Sequence, residues 1–158
     1  MAGRLAGKVA VVTGAGGGIG EATAGLFWSE GACVVMVDSN ADDLRSAADG
    51  IVANGSDERV LPVPADLSVD EEAARVMRMC VERFGRLDVL ANVAAVRAPV
   101  GPLTETTAVD WQRILSINLV GVAACCKYAI EPMARGGGGS IINVVSQCAD
   151  RPAWLGAV

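Results

Sequence analysis

A glycine string, Thr13-Gly14-Ala15-Gly16-Gly17-Gly18-Ile19-Gly20, stands between an apolar run and a helical pattern. Glycines at such a junction let the backbone turn tightly and approach a pyrophosphate, whose charge meets free N–H groups at the helix N-terminus. The spacing is G-x-x-x-G-x-G through Gly14, Gly18 and Gly20, and the more common G-x-G-x-x-G fails because its sixth position is Ile19. The next apolar run ends in an acid, Asp38, 20 residues beyond Gly18. A carboxylate there accepts hydrogen bonds from adenosine ribose hydroxyls. The alternative is a solvated aspartate that caps the following helix. Asp38 would repel a 2′-phosphate at a cost of roughly several kcal/mol. No Arg or Lys lies in the glycine loop or at Ser39 and Asn40 to receive that phosphate. The pattern favours NAD over NADP.

A second constellation is thinner. The apolar run Ser140 to Val145 leads into Ser146. The carboxyl end of a buried strand is where an α/β enzyme presents a reactive hydroxyl. A hydroxyl alone does little acid–base chemistry, and the chain contains no histidine. That excludes a Ser-His-Asp triad and any His-based zinc site. Cys33, Cys80, Cys125, Cys126 and Cys148 form an odd set without CxxC spacing, so they read as reduced core residues of a cytosolic protein.

These groups need elements to position them, and strand and helix patterns alternate along the chain. Lys8 to Thr13 and Ala32 to Val37 read as buried strands, and Val60 to Ala65, Leu87 to Val93 and Ser140 to Val145 as three further strands. Gly18 to Glu30, Asn40 to Asn54, a stretch capped by Ser68 with Glu71 in capping-box register, and Thr107 to about Met133 read as helices. Pro62 and Pro64 cannot donate to a ladder and place the third strand at an edge. The expected fold is α/β, a doubly wound parallel sheet of order 3-2-1-4-5, with residues 1–158 forming a single dinucleotide-binding domain.

Composition agrees with that architecture. The chain is 52% hydrophobic, with a mean hydropathy of +0.41, as expected of a sheet buried on both faces or a large subunit interface. A net charge of −5 and a pI near 4.7 argue against a nucleic-acid surface. The start has no signal-peptide architecture. The apolar run Ile114 to Cys126 is 13 residues long and holds Ser116 and Asn118, so no membrane partner is expected.

With these residues in view, the chain resembles the short-chain dehydrogenase/reductase family over its whole length. TGAGGGIG resembles the family's TGxxxGxG loop, which implies cofactor contacts from Gly14, Gly16, Gly17, Gly18, Ile19 and Gly20 beside Asp38. Asp66-Leu67 falls where the family has an acid that reaches the adenine amino group. LANVAAV resembles the segment that carries the family's NNAG motif, implying contacts from Asn92 and Ala94, although Val93 replaces the second Asn and Ala95 the glycine. Asn118 in SINLVG matches an asparagine that holds a water in a proton relay, and Ser146 matches the active-site serine.

The resemblance implies hydride transfer between NAD(H) and a small-molecule alcohol or carbonyl substrate, in a homo-oligomer (dimer or tetramer) when the chain is full length. In the family a tyrosine follows the serine by roughly a dozen residues, and a lysine four residues after it lowers its pKa. Here the only tyrosine is Tyr128, followed four residues later by Pro132, and position 159 would be 13 past Ser146. The expectation is therefore a chain that stops short of the Tyr-x-x-x-Lys element and binds cofactor without turning over. A catalytically silent dinucleotide-binding module, or a non-productive partner subunit, is the alternative. A Rossmann-like methyltransferase is disfavoured by the TGxxxGxG spacing and by Asn118 and Ser146 in family register.

Overall fold

A computed structural model of the chain describes residues 3–52, 58–97 and 102–146. Its strands are β1 (Val9–Thr13), β2 (Cys33–Asp38), β3 (Val60–Pro64), β4 (Val89–Asn92) and β5 (Ser140–Asn143). Between them run α1 (Gly18–Ser29), α2 (Ala41–Val52), α3 (Asp70–Phe84), a 3₁₀ turn at Leu103–Glu105, α4 (Ala108–Leu115) and α5 (Val122–Arg135). All pairings are parallel and the order is β3-β2-β1-β4-β5. Helices lie on both faces, as expected, while edge strand β5 is exposed along its length.

The apolar runs explain the layering. Successive strand residues point to opposite faces. Val11, Val35, Val37 and Leu90 meet α3 and α5 on one side, while Val12, Val34, Met36 and Ala91 meet α1 and α2 on the other. Pro62 and Pro64 lie two apart in edge strand β3, opposite Met36 and Asp38. Alternate residues direct their N–H groups to the same side of a strand, so both missing donors fall on the unpaired side.

Three local expectations are corrected. Ser68 does not cap α3: the helix begins after Val69 without a side-chain cap. The Ser68 hydroxyl instead donates to Asp66 Oδ1 at 2.7 Å and its N–H to the same oxygen at 2.9 Å. A carboxylate two residues back competes successfully for that hydroxyl. The long helix is also interrupted: Ser116–Gly121 form a π-turn between α4 and α5. Together they make a 28-residue helix, Ala108–Arg135, with a window of mean hydropathy 1.5, so its length and composition would permit a membrane crossing despite the short uncharged run. In the fold, Ala124, Cys125, Ala129 and Met133 pack in the core beside α3. Leu115, Leu119, Val120, Ala123 and Ile130 face outward. Val122 and Cys126 are half-buried. Buried Cys80 and Cys125 are pushed up to about 12 by burial, which leaves their thiols protonated and inert. Cys148 and Trp154 lie outside the described residues.

Asp88 fastens the amino end of the sheet. It is 4% exposed and accepts from Arg86 Nε at 2.8 Å and Nη2 at 2.6 Å, Val9 N at 3.0 Å and Lys8 Nζ at 3.1 Å. Burial alone would raise its pKa, but the Arg86, Val9 and Lys8 donors outweigh it and hold the carboxyl below its ordinary value. A folded pKa below the unfolded one makes this contribution complete above about pH 4 and lost as pH falls through the folded value. Asp88→Ala is expected to cost about 1 to 2 kcal/mol at neutral pH, the low end because both cationic partners are half-exposed. Urea unfolding of both proteins at pH 7 and at decreasing pH below 4 checks this. A stability gap that does not narrow in acid would refute it.

Candidate cofactor site

The β1–α1 turn is built by two glycines that admit no side chain. At Gly14, whose φ is +69°, a Cβ would stand 2.8 Å from the backbone N and Cα of Ala94. At Gly20 a Cβ would lie 1.9 Å from the Gly14 carbonyl oxygen, so the first turn of α1 closes directly on the loop. Around Gly17 and Gly18 there is open space instead, and Ile19 is 65% exposed. The turn is thus packed beneath and bare above, the shape a close-approaching pyrophosphate needs. Thr13, overlooked as a functional residue, accepts hydrogen bonds from Val93 N and Ala94 N, both at 3.0 Å. That staple fixes the loop after β4 against the glycine turn.

Asp38 ends β2 with both carboxylate oxygens engaged. Gly16 N donates to Oδ2 and Asn40 N to Oδ1, each at 3.0 Å. A carboxylate has about four acceptor sites, so each oxygen keeps one for a further donor. Asn40, not Asp38, caps α2, its side-chain oxygen accepting from Asp42 N and Asp43 N. This disposes of the solvated-cap alternative for Asp38.

Asp66 lies beyond the end of β3, two residues past Pro64. The Ser68 hydroxyl, then the Ser68 N–H, hold its carboxyl below the ordinary carboxylate range. It is an exposed, ionised acceptor at neutral pH. Gly14, Asp38, Asp66, Leu67, Ala95 and Ile117 line one open cleft. Ala94 and Val96 complete the same wall as Ala95.

Two expected site residues have their side chains bonded within the fold. Asn92 is 3% exposed and works within the sheet, donating from Nδ2 to Asn143 Oδ1 at 2.8 Å across β4 and β5. Its Oδ1 has no partner among the described residues. Asn118 lies in the π-turn with its amide bonded through both its oxygen and its nitrogen. Oδ1 accepts from Val96 N and Nδ2 donates to Val96 O, each at 2.8 Å. The side chain therefore clamps the cleft wall. Ser146 is exposed and lies three residues beyond β5, past the carboxyl end of that strand. Tyr128 is distant in role: its hydroxyl bonds Asp70 and accepts from Lys127 Nζ at 2.9 Å, joining α5 to α3.

A sheet of this order, a glycine turn open above and two acids on one cleft define a dinucleotide-binding α/β protein. Residues 8–158 match the model of the short chain dehydrogenase family, and the chain belongs to that family. It is 41% identical over 149 residues to "Short chain dehydrogenase/reductase astE" of Aspergillus oryzae, covering 94% of this chain and 57% of that protein. It is 40% identical over 141 residues to cis-4-hydroxycyclohexanecarboxylate dehydrogenase of Sinomonas cyclohexanicum, covering 88% and 55%. The crystal structure of NAD+-bound xylitol dehydrogenase superposes with a TM-score of 0.88 at 29% identity, covering 95% of this chain and 57% of that one. The chain thus spans little more than half the length of these relatives. The family is one of dehydrogenases and reductases, and nicotinamide dinucleotide is its cofactor.

Proposed function

We propose that this chain is the NAD-binding portion of an oxidoreductase that acts on an alcohol/carbonyl pair. The observation that carries the reading is Asp38, whose carboxylate is oriented by two backbone amides at the rim of the cleft Asp66 also lines. In this reading the open rim at Gly17 and Gly18 takes the pyrophosphate, the spare lone pairs of Asp38 accept the adenosine ribose hydroxyls, and Asp66 accepts from the adenine amino group. Ala94 and Ala95 form the wall beside the nicotinamide ribose, with the Ala95 methyl tolerated because that residue is exposed. The nicotinamide ring supplies or receives the hydride. Ser146 donates a hydrogen bond to the substrate oxygen, orienting the carbon that gains or loses the hydride. The outward row Leu115, Leu119, Val120 and Ile130 is the face we assign to a second subunit, since apolar patches on this scale mark interfaces.

Thermal unfolding with ligand tests the cofactor assignment. NADH at about 100 times its dissociation constant should stabilise the folded chain by about 2.7 kcal/mol, visible as a raised midpoint. S-adenosylmethionine at the same concentration should leave the midpoint unchanged. No response to millimolar NADH, or an equal response to both ligands, would overturn the proposal.

A further inference from the structure

We propose that Gly121, the last residue of the π-turn, is a positioning residue that sets the adenine-reading acid Asp66 by pressing on the Leu67 carbonyl. The inference rests on the cofactor reading above, and the experiment below separates the two. Gly121 is buried, and a Cβ there would fall 2.5 Å from the Leu67 carbonyl oxygen and 3.2 Å from its carbon. Both atoms belong to the main chain directly after Asp66, not to a side chain that could swing aside. Ser68 binds Asp66 through its N–H and its hydroxyl, so residues 66 to 68 form one turn. Leu67 is 8% exposed and anchored in the core, which leaves that turn little freedom to tilt without moving the carboxylate.

The π-turn explains why the helix comes so close. Its wider turn is an irregularity that needs a local cause, and such turns concentrate at functional sites. Three residues before Gly121, on the same helical face, Asn118 clamps Val96. Ile117 lines the cleft itself. One six-residue segment, Ser116–Gly121, therefore touches both walls: Val96 through an amide, Leu67 through a missing methyl group. A methyl group at position 121 would force the Leu67 carbonyl back by about 0.8 Å to reach an ordinary carbon–oxygen contact near 3.3 Å.

The adenine 6-amino group is a donor, whereas the hypoxanthine of deamino-NADH presents an acceptor oxygen at that position. The ratio of the two affinities thus reads the placement of Asp66, and global stability cancels from it. The wild type should prefer NADH to deamino-NADH by about tenfold, the scale of a hydrogen bond to a charged group. Asp66→Ala should reduce the ratio to about twofold or less, and Gly121→Ala should do the same. The double variant should show no further loss, because both changes act through one contact. If Asp66→Ala lowers the ratio and Gly121→Ala does not, the positioning role is wrong. If neither the wild type nor Asp66→Ala discriminates between the two ligands, the adenine role of Asp66 itself fails, and with it this inference. Should Gly121→Ala not fold, deuterium exchange on the wild type decides. AMP, but not IMP, should protect the amides of residues 66–69 and 118–122 together. Protection of the loop without the helix would overturn the proposal.

Discussion

Residues 1–158 incubated with NAD+ and a secondary alcohol, or with NADH and a ketone, are expected to give no change at 340 nm above the uncatalysed background. The argument is one of protons. Hydride leaves or reaches a carbon only if the oxygen on that carbon loses or gains a proton, and Ser146 has a pKa far too high to exchange it alone. A positioned acid–base group contributes typically 10² to 10⁴ in rate. The chain has no histidine to take that part. Tyr128 is engaged with Asp70 and Lys127 on the α3–α5 surface, and it is not among the residues that line the cofactor cleft. Extending the chain with a segment that carries a tyrosine about 13 residues after Ser146, and a lysine four residues beyond it, should restore turnover by at least the lower of those factors. Ser146→Ala in the extended protein should then abolish most of it. Robust turnover by residues 1–158, purified free of host dehydrogenases and sensitive to Ser146→Ala, would show that another group supplies the proton.

NADH should bind at least tenfold more tightly than NADPH. Two effects act together at Asp38. Its remaining lone pairs accept the ribose hydroxyls of NADH, and its charge opposes the 2′-phosphate of NADPH, a like-charge contact worth roughly several kcal/mol when desolvated. The carboxylate is held in place by Gly16 N and Asn40 N, so it cannot turn away from the phosphate without giving up both bonds. Asp38→Ala removes the acceptor and the repulsion at once, so NADH affinity should fall, NADPH affinity should rise, and the gap should close to within about threefold. Full inversion needs a cation, and Ser39→Arg in the Asp38→Ala background is the variant to supply it, since the native Ser39 and Asn40 carry none. Equal affinity of the wild type for the two cofactors, measured by fluorescence titration, would remove Asp38 from the specificity role.

Much of this was legible in the residues because it is governed by local physics. Gly14 and Gly20 announce a turn that forbids side chains, and backbone sterics make that true wherever the turn is placed. Pro62 and Pro64 announce an edge strand, because a missing donor cannot be hidden inside a ladder. Near-continuous apolar runs separated by helical patterns imply a parallel sheet covered on both faces, and the expected order 3-2-1-4-5 is the one found. Where reading the residues misplaced a role, a competing partner was responsible: Ser68 goes to Asp66 and not to the helix.

Periodicity also could not reveal the π-turn. SINLVG is as compatible with a continuous α-helix, and only packing against the residue 66–68 turn and the Val96 loop distinguishes them. The same holds for Thr13, whose hydroxyl reaches amides 80 and 81 residues away, and for Gly121, whose missing Cβ matters only because Leu67 lies against it. By itself the sequence determined the family, the order of elements and the acids at the strand ends, since each depends on spacing and backbone conformation within one short stretch. Tertiary structure alone decided which loops those residues brace, because that depends on which distant backbone groups the folded sheet brings within hydrogen-bonding or contact distance.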